Sequence, residues 1–199
     1  MQLINISFIV VYLVVILTTI VFCNPQQVMG QKEFQSSISN ATTISGFSTY
    51  ENPLQGIKMQ YPSNWTTSVS DLRSYTDVVA FYSPLQNLSD AFPARLVLSA
   101  SKYSQNISLD EHTNFTVSAL NQSQDLILNE SNPFTLAKNP AHQIIFSAIS
   151  PSAPFNFNVM QVSTTIGDKL YILSYEAIAP KFSKNLPIIQ QMLQSLEIE

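Results

Sequence analysis

The sequence predicts an α+β domain in which a central antiparallel β-sheet is covered by helices. Hydrophobic residues make up 45% of the 199 residues, the usual share for a globular protein. Short apolar segments with a strand-like period outnumber the helical segments. Because several strands follow one another with few helices between them, an antiparallel sheet is favoured over a parallel one.

The domain begins near Tyr50, and a strand follows it. Ile57, Met59 and Tyr61 alternate with polar residues, which is the period of a half-buried strand, and residues 62–64 read as a turn. Shorter apolar segments predict further strands at 78–82, 96–100, 126–128 and 143–146.

A long hairpin is predicted near the end of the chain. Residues 159–166 and 169–177 form its strands, and Gly167-Asp168 between them is a typical two-residue hairpin turn.

The first helix is predicted from Ser108 to about Leu120. Ser108 and Glu111 have the spacing of a capping box, in which each side chain accepts a hydrogen bond from the other residue's backbone. Its Thr, Asn and Val residues have poor helix propensity, so the helix depends on packing.

The second helix is predicted from Ser183 to Leu196. Pro187 is expected in its first turn, where a proline costs little. Its apolar stripe consists of Leu186, Ile189, Leu193 and Leu196.

Residues 1–30 carry no charged side chain and indicate a targeting segment. The apolar run of residues 6–22 precedes Pro25 and the small residue Gly30, the order of a secretory signal cleaved after Gly30. The run is also close to the shortest length that spans a bilayer, so an uncleaved anchor is the alternative. In either case the rest of the chain is expected to be exported, to the cell surface or beyond.

Residues 31–49 are polar and rich in Ser and Thr, and predict a flexible tether to the domain of residues 50–199. The one cysteine, Cys23, lies within the leader. The exported part therefore has no disulfide, thiolate metal site or cysteine nucleophile.

Asparagine glycosylation sites are a second indication of export. The N-x-S/T pattern is frequent beyond residue 31, although an Asn-, Ser- and Thr-rich chain also produces it by chance. The candidates are Asn40, Asn64, Asn87, Asn106, Asn114, Asn121 and Asn129.

The charge pattern argues against two classes of partner. Charged residues make up 11% of the chain and the net charge is −4, so no basic footprint for nucleic acid exists. Lys and Arg form no cluster of the kind that binds anionic lipid.

The inventory of chemical groups predicts no enzyme. The four glycines permit neither a dinucleotide-binding turn, a P-loop nor a nucleophile elbow. His112 and His142 form no metal-binding pair; the first is expected as an exposed helix residue and the second as a strand residue bonded to its neighbours. A serine triad assembled in space is the remaining catalytic alternative.

Acidic residues and Trp65 have structural explanations. Asp110 and Glu111 suit the first turn of a helix, and Asp168 suits a hairpin. Asp77, Asp90 and Asp125 are scattered without a calcium-loop pattern, which leaves only a calcium site assembled from distant loops. Trp65 is interpreted as a core plug, with ligand stacking as the alternative.

Four segments together resemble the PsbP domain family. They are YENPLQGIKMQYPSNW, VVAFYSP, NPFTLAKNPAHQIIFSA and IGDKLYILSYEAIAPKFSKNLPIIQQMLQSLEI, and they span Tyr50 to Ile198.

This resemblance implies an α/β/α sandwich around an antiparallel sheet, a fold shared with a nuclear Ran-binding release factor. In plants and cyanobacteria, PsbP is an extrinsic subunit of photosystem II, in the oxygen-evolving complex, that helps to retain calcium and chloride. The leader and polar surface look more like short exported relatives in ammonia-oxidising archaea. No calcium or chloride ligand can be assigned here, so calcium is implied by the resemblance alone, and no other cofactor is expected.

Two functions follow from these observations. The first is an accessory binding module that docks on a membrane or envelope protein complex. The alternative is a carrier of a small ligand or lipid, with a pocket between the sheet and the helices.

Overall fold

The computed structural model describes residues 46–69, 77–85, 92–102, 107–149 and 156–199. The predicted leader and most of the predicted tether lie outside these ranges. The strands are β1 (Phe47–Asn52), β2 (Ile57–Pro62), β3 (Thr66–Ser68), β4 (Asp77–Tyr82), β5 (Arg95–Lys102), β6 (Leu126–Leu136), β7 (Asn139–Ala148), β8 (Phe157–Ile166), β9 (Lys169–Ile178) and β10 (Glu197–Ile198). The helices are α1 (Leu109–Gln122) and α2 (Ala179–Gln194).

Seven strands form the main sheet in the order β3-β4-β5-β9-β8-β7-β6. Each pair of neighbours is antiparallel, which confirms the predicted fold class. The predicted closing hairpin is also confirmed, because β8 and β9 pair from Phe157↔Ile178 to Ile166↔Lys169 around Gly167-Asp168.

A second sheet of three strands, β1-β2-β10, holds the beginning and end of the domain together. β1 pairs with β2 from Phe47↔Pro62, so the first described strand begins three residues before Tyr50. Residues 47–49 of the predicted tether therefore belong to a strand. Phe47 is the one apolar residue among these three, so no alternation revealed the strand, which pairs with β2 and packs Phe47 against the hydrophobic core.

The capping box of α1 is confirmed. The Glu111 backbone N–H donates to Ser108 Oγ at 3.1 Å, and the Ser108 N–H donates to Glu111 Oε2 at 2.9 Å. His112, Thr113, Thr116 and Leu120 are the buried residues of this helix.

The predicted position of α2 is wrong by about one turn at its start. The helix begins at Ala179, so Pro187 lies in its interior and not in its first turn. The extra turn is held by packing, because Phe182 is buried and the Tyr175 hydroxyl lies 3.1 Å from its carbonyl oxygen. The helix ends at Gln194, and Leu196 is buried just beyond it.

The β6–β7 hairpin is much longer than predicted. It turns at Ala137 and Lys138, whose φ angles of 47° and 64° lie in the left-handed region. A two-residue turn of this kind normally uses Asn or Gly, so the dipeptide gave no turn signal. Apart from Ile127 and Pro133, the exposed residues of β6 are polar, so the strand shows no regular apolar alternation.

Two hydrophobic cores cover the two faces of the main sheet. The larger core packs α2 and the small sheet against one face, and includes Trp65, Phe81 and Leu193. The smaller core lies where α1 packs on β6–β8, and includes Leu120 and Phe146. No helix among the described residues has the length and apolar character needed to cross a membrane.

Leu193→Ala tests the docking of α2. The Leu193 side chain is 3% exposed in the larger core, so its truncation should lower the free energy of unfolding by about 2–5 kcal/mol. Urea denaturation measures the change. The matched control Gln190→Ala, on the exposed side of the same helix, should stay within about 0.5 kcal/mol of wild type. Equal effects of the two changes would contradict this packing.

Candidate functional site

The structure places His112 in contact with a serine inside the domain. His112 Nε2 lies 3.2 Å from the Oγ of Ser163 on β8, and the Gln161 amide donates to the same oxygen at 3.3 Å. His112 and Ser163 are 3% and 4% exposed, so the prediction of an exposed His112 is wrong. The residue lies on the inner side of α1, which the sequence could not show because this helix has no clear apolar stripe.

This pair lacks the other parts of a nucleophilic site. A catalytic histidine is oriented by a third group that hydrogen-bonds its second ring nitrogen. The Nδ1 of His112 has no hydrogen-bond partner. Burial lowers the pKa of His112 to about 4, so the ring is neutral at pH 7 and is a weak base.

His142 approaches the same serine from β7. It is the cross-strand partner of Ser163, and its Nε2 lies 2.8 Å from the Oγ of Ser131 on β6. The two histidines, distant in sequence, therefore flank one serine. Within the described ranges, no group of three His, Cys, Asp or Glu side chains could hold a metal ion.

Polar side chains continue across this sheet face as what we call the polar row. Ser174 is the cross-strand partner of Gln161, and Arg95 is the partner of Glu176. Alternate residues of a strand share a face, so these side chains lie on the same side of the sheet as Ser163. The polar row consists of Arg95, Glu176, Ser174, Gln161, Ser163 and His112.

The charges of the polar row neutralise each other. Arg95 Nη1 donates to Glu176 Oε1 at 2.9 Å, and both side chains are mostly buried. Burial opposes the charge on Arg95, but Glu176 and Tyr82 more than offset it, so the pKa of the guanidinium is raised. Arg95 Nε, Ser174 Oγ and His112 Nδ1 are buried without a partner. Ordered water is the usual partner of such atoms.

The remaining acidic candidates are dispersed. Asp110 and Glu111 lie in the first turn of α1, and Asp168 pairs with Lys102 at 2.8 Å. Asp77 begins β4, Asp125 is exposed before β6, and Asp90 lies outside the described residues.

Trp65 lies in the larger core and is 5% exposed. Its neighbours in this core include Phe81 and Leu96. Little of the ring is accessible to a ligand from solution.

The predicted glycosylation sites differ in accessibility. Asn114 and Asn121 are exposed on α1, and Asn129 is exposed on β6. Asn64 is half-buried, and its Oδ1 atom is buried without a partner. Asn40, Asn87 and Asn106 lie outside the described residues.

The turn between β1 and β2, which we call the hairpin tip, presents a bare apolar side chain. Leu54 is 98% exposed, the most exposed of the large hydrophobic residues described. The turn is held on both sides, because the Gln55 N–H donates to Asn52 O at 3.1 Å and the Glu199 N–H donates to Gly56 O at 2.9 Å.

Gly56 allows this attachment of the tip. Its φ is +65°, and a Cβ atom there would lie 2.8 Å from the Glu199 carbonyl oxygen. Only glycine combines this backbone conformation with so close an approach. The sequence placed the segment in a recognisable pattern but could not show that Leu54 points into solvent.

Comparison with known families gives one match along nearly the whole chain. A family model described as PsbP-like protein matches residues 3–198. Direct comparison with curated proteins gives no match.

Solved structures of several proteins share the fold at low sequence identity. Cyanobacterial PsbP (CyanoP) from Synechocystis sp. PCC 6803 superposes with a TM-score of 0.55 at 12% identity, covering 82% of this chain and 98% of its own. LpqN, described as involved in cell envelope biogenesis of Mycobacterium tuberculosis, gives 0.56 at 14% identity, covering 77% and 90%. The Ran-binding protein Mog1p of Saccharomyces cerevisiae gives 0.52 at 11% identity, covering 77% and 95%.

The buried His112 predicts that acid destabilises the domain. Its folded-state pKa of about 4 lies below the value of 6.5 expected when unfolded. Between these values the unfolded chain binds a proton that the folded chain does not, so stability falls as pH falls. The loss should reach about 3 kcal/mol by pH 4, at about 1.4 kcal/mol per pKa unit.

Urea denaturation from pH 7 to pH 4 measures this effect. His112→Gln should remove most of the pH-dependent loss, whereas His142→Gln should retain it. A wild-type stability that is constant over this range would show that His112 is protonated in the folded domain.

Proposed function

Because the chain belongs to the PsbP-like family, we propose that it is an exported accessory module that docks on a protein complex of a membrane or cell envelope. The proposed action is binding, without catalysis. The fold is compatible with this, since proteins of the same fold include a Ran-binding protein and an envelope-biogenesis protein. A shared fold does not transfer a partner, so the proposal depends on the surface of this chain.

The hairpin tip is the observation that carries the proposal. An apolar side chain fixed in an exposed turn loses little conformational freedom when it enters a pocket on a partner. Leu54 has this arrangement, since its turn is tied to Asn52 on one side and to Glu199 on the other. Binding energy at protein interfaces is concentrated in a few side chains that fill pockets on the partner.

The alternative of a lipid carrier has less support. A carrier pocket between α2 and the main sheet would occupy the space that Trp65, Phe182 and Met192 fill in the larger core. An anionic membrane surface is also a poor partner, because three of the Lys and Arg residues that the structure describes are in ion pairs and Lys181 is buried.

Catalysis also has little support from the geometry. The Ser163–His112 pair is buried, its histidine lacks an orienting partner, and the ring is neutral at pH 7. The pair therefore stabilises the contact between α1 and β8.

We expect the leader to be cleaved when the protein is exported. The native protein should begin at Gln31, since Val28-x-Gly30 resembles a cleavage site. Intact-mass measurement of protein from its own cells decides this. A chain that retains residues 1–30 and fractionates with membranes would identify the segment as an anchor instead.

Leu54→Ser tests the docking site. The change should weaken binding to the partner at least tenfold, or about 1.4 kcal/mol, without altering thermal stability, because the side chain is solvent-exposed. Leu85→Ser is the matched control, since Leu85 is also exposed but lies outside the hairpin tip.

The full chain is first used as bait to capture partners from detergent-solubilised native membranes. The captured proteins are then identified by mass spectrometry. Each variant is then titrated against the purified partner. Equal affinity of wild type and Leu54→Ser would show that the hairpin tip is not the docking site. Binding of wild type to liposomes, with no protein captured, would favour the carrier.

A further inference from the structure

We propose that asparagine-linked glycans on Asn114, Asn121 and Asn129 shield the exposed edge of the main sheet. This inference rests on the proposed export of the protein and does not depend on the docking partner. It assigns the modification to the accessible sites and excludes Asn64.

The edge in question is β6. This strand has 11 residues and is hydrogen-bonded to β7 on one side, with no strand of the described residues on its other side. An exposed edge of this length offers unpaired backbone groups to a second chain, and proteins usually protect such edges. The opposite edge needs less protection, because β3 has only three residues.

β6 carries two of the usual protections within the strand itself. Pro133 lacks a backbone N–H, and an irregularity between Leu128 and Glu130 interrupts the regular pairing with β7. The segment from Leu126 to Leu128 precedes both, and its Ile127 is 50% exposed. This first part of the edge is therefore the least protected.

Asn121 and Asn129 are the accessible acceptors nearest in sequence to this unprotected part, and Asn114 lies farther along α1. Asn121 is in the last turn of α1, five residues before β6 begins, and Asn114 lies two helical turns earlier on the same outward side. α1 packs against β6, β7 and β8, so both side chains lie on the sheet face that this helix covers.

Asn129 approaches the edge from the opposite face. Its Nδ2 donates to Ser147 Oγ at 2.8 Å, and Ser147 is the cross-strand partner of Ile127. Ser147 alternates along β7 with Phe146 and Ala148, which face α1, so Ser147 and Asn129 lie on the other side of the sheet. Asn114 and Asn121 therefore lie on one side of the sheet at this edge, and Asn129 lies on the other side.

Asn64 is the contrasting site. It lies in the turn between β2 and β3, next to the buried Trp65, and its own Oδ1 is buried. Nδ2, the atom to which a glycan would be attached, is bonded to the same carbon as this buried oxygen, so the half-buried side chain leaves less room for a glycan than the three exposed sites do.

The modification is a group transfer with a defined donor. The Nδ2 atom of the asparagine loses one proton and forms a bond to the anomeric carbon of the first sugar. The donor is a lipid-linked oligosaccharide, and its lipid phosphate or diphosphate is the leaving group. A membrane-bound oligosaccharyltransferase on the export side catalyses this transfer.

The experiment is expression of the full chain in a eukaryotic secretory host, followed by intact-mass and glycopeptide analysis. We expect glycans at all three sites, and each of Asn114→Gln, Asn121→Gln and Asn129→Gln should remove the mass of one glycan. Asn64→Gln is the matched control and should leave the number and mass of the attached glycans unchanged.

Self-association gives a second measurement. The triple Gln variant should keep the thermal stability of the wild type but sediment as a larger species, whereas Asn64→Gln should sediment as the wild type does. A triple variant with unchanged sedimentation would overturn the shielding role.

Failure of the glycosylation inference and failure of the proposed export give different results. Secreted chain without glycans at the three sites, or with a glycan at Asn64, overturns this inference and leaves the docking proposal intact. Unmodified chain retained in the cytoplasm overturns export, and with it both proposals.

Discussion

The pairing of β8 with β9 is the contact on which the rest of the structure depends. These strands occupy the middle of the main sheet, and both of their faces are buried, so every other layer packs on them. β9 also pairs with β5 along eight residues and leads directly into α2. The Tyr175 hydroxyl of β9 meets the carbonyl oxygens of Lys181 and Phe182, which fixes the angle at which α2 returns over the sheet.

The sequence was informative where local chemistry decides the conformation. Gly167-Asp168 specified the closing turn, and the Ser108–Glu111 capping box specified the start of α1. It was uninformative where distant contacts decide. The turn at Ala137-Lys138 is held in left-handed geometry by the two strands that it joins. The start of α2 depends on the burial of Phe182 against Tyr175, whose rings stack at 4.9 Å between centroids.

The candidate site shows the same division. Composition and motifs indicated an absence of familiar catalytic patterns, and they predicted a binding module. They could not show that His112 contacts Ser163 or that His142 lies opposite this serine, since this requires the packing of α1 and the register of β7 and β8. The exposure of Leu54 was also beyond sequence reasoning, because an apolar residue in a turn is as often buried as exposed until the fold is known.

The small sheet has a mechanical consequence. β1 and β10 pair with opposite sides of β2, so the first described strand and the last are held in one sheet with β2 between them. Tension on the chain before Phe47 would load β1 at its Phe47↔Pro62 end and peel it from β2 one residue pair at a time. The force needed for such unzipping is small, because few hydrogen bonds resist at once. A pull on the chain before Phe47 would therefore load β1 before any strand of the seven-stranded sheet.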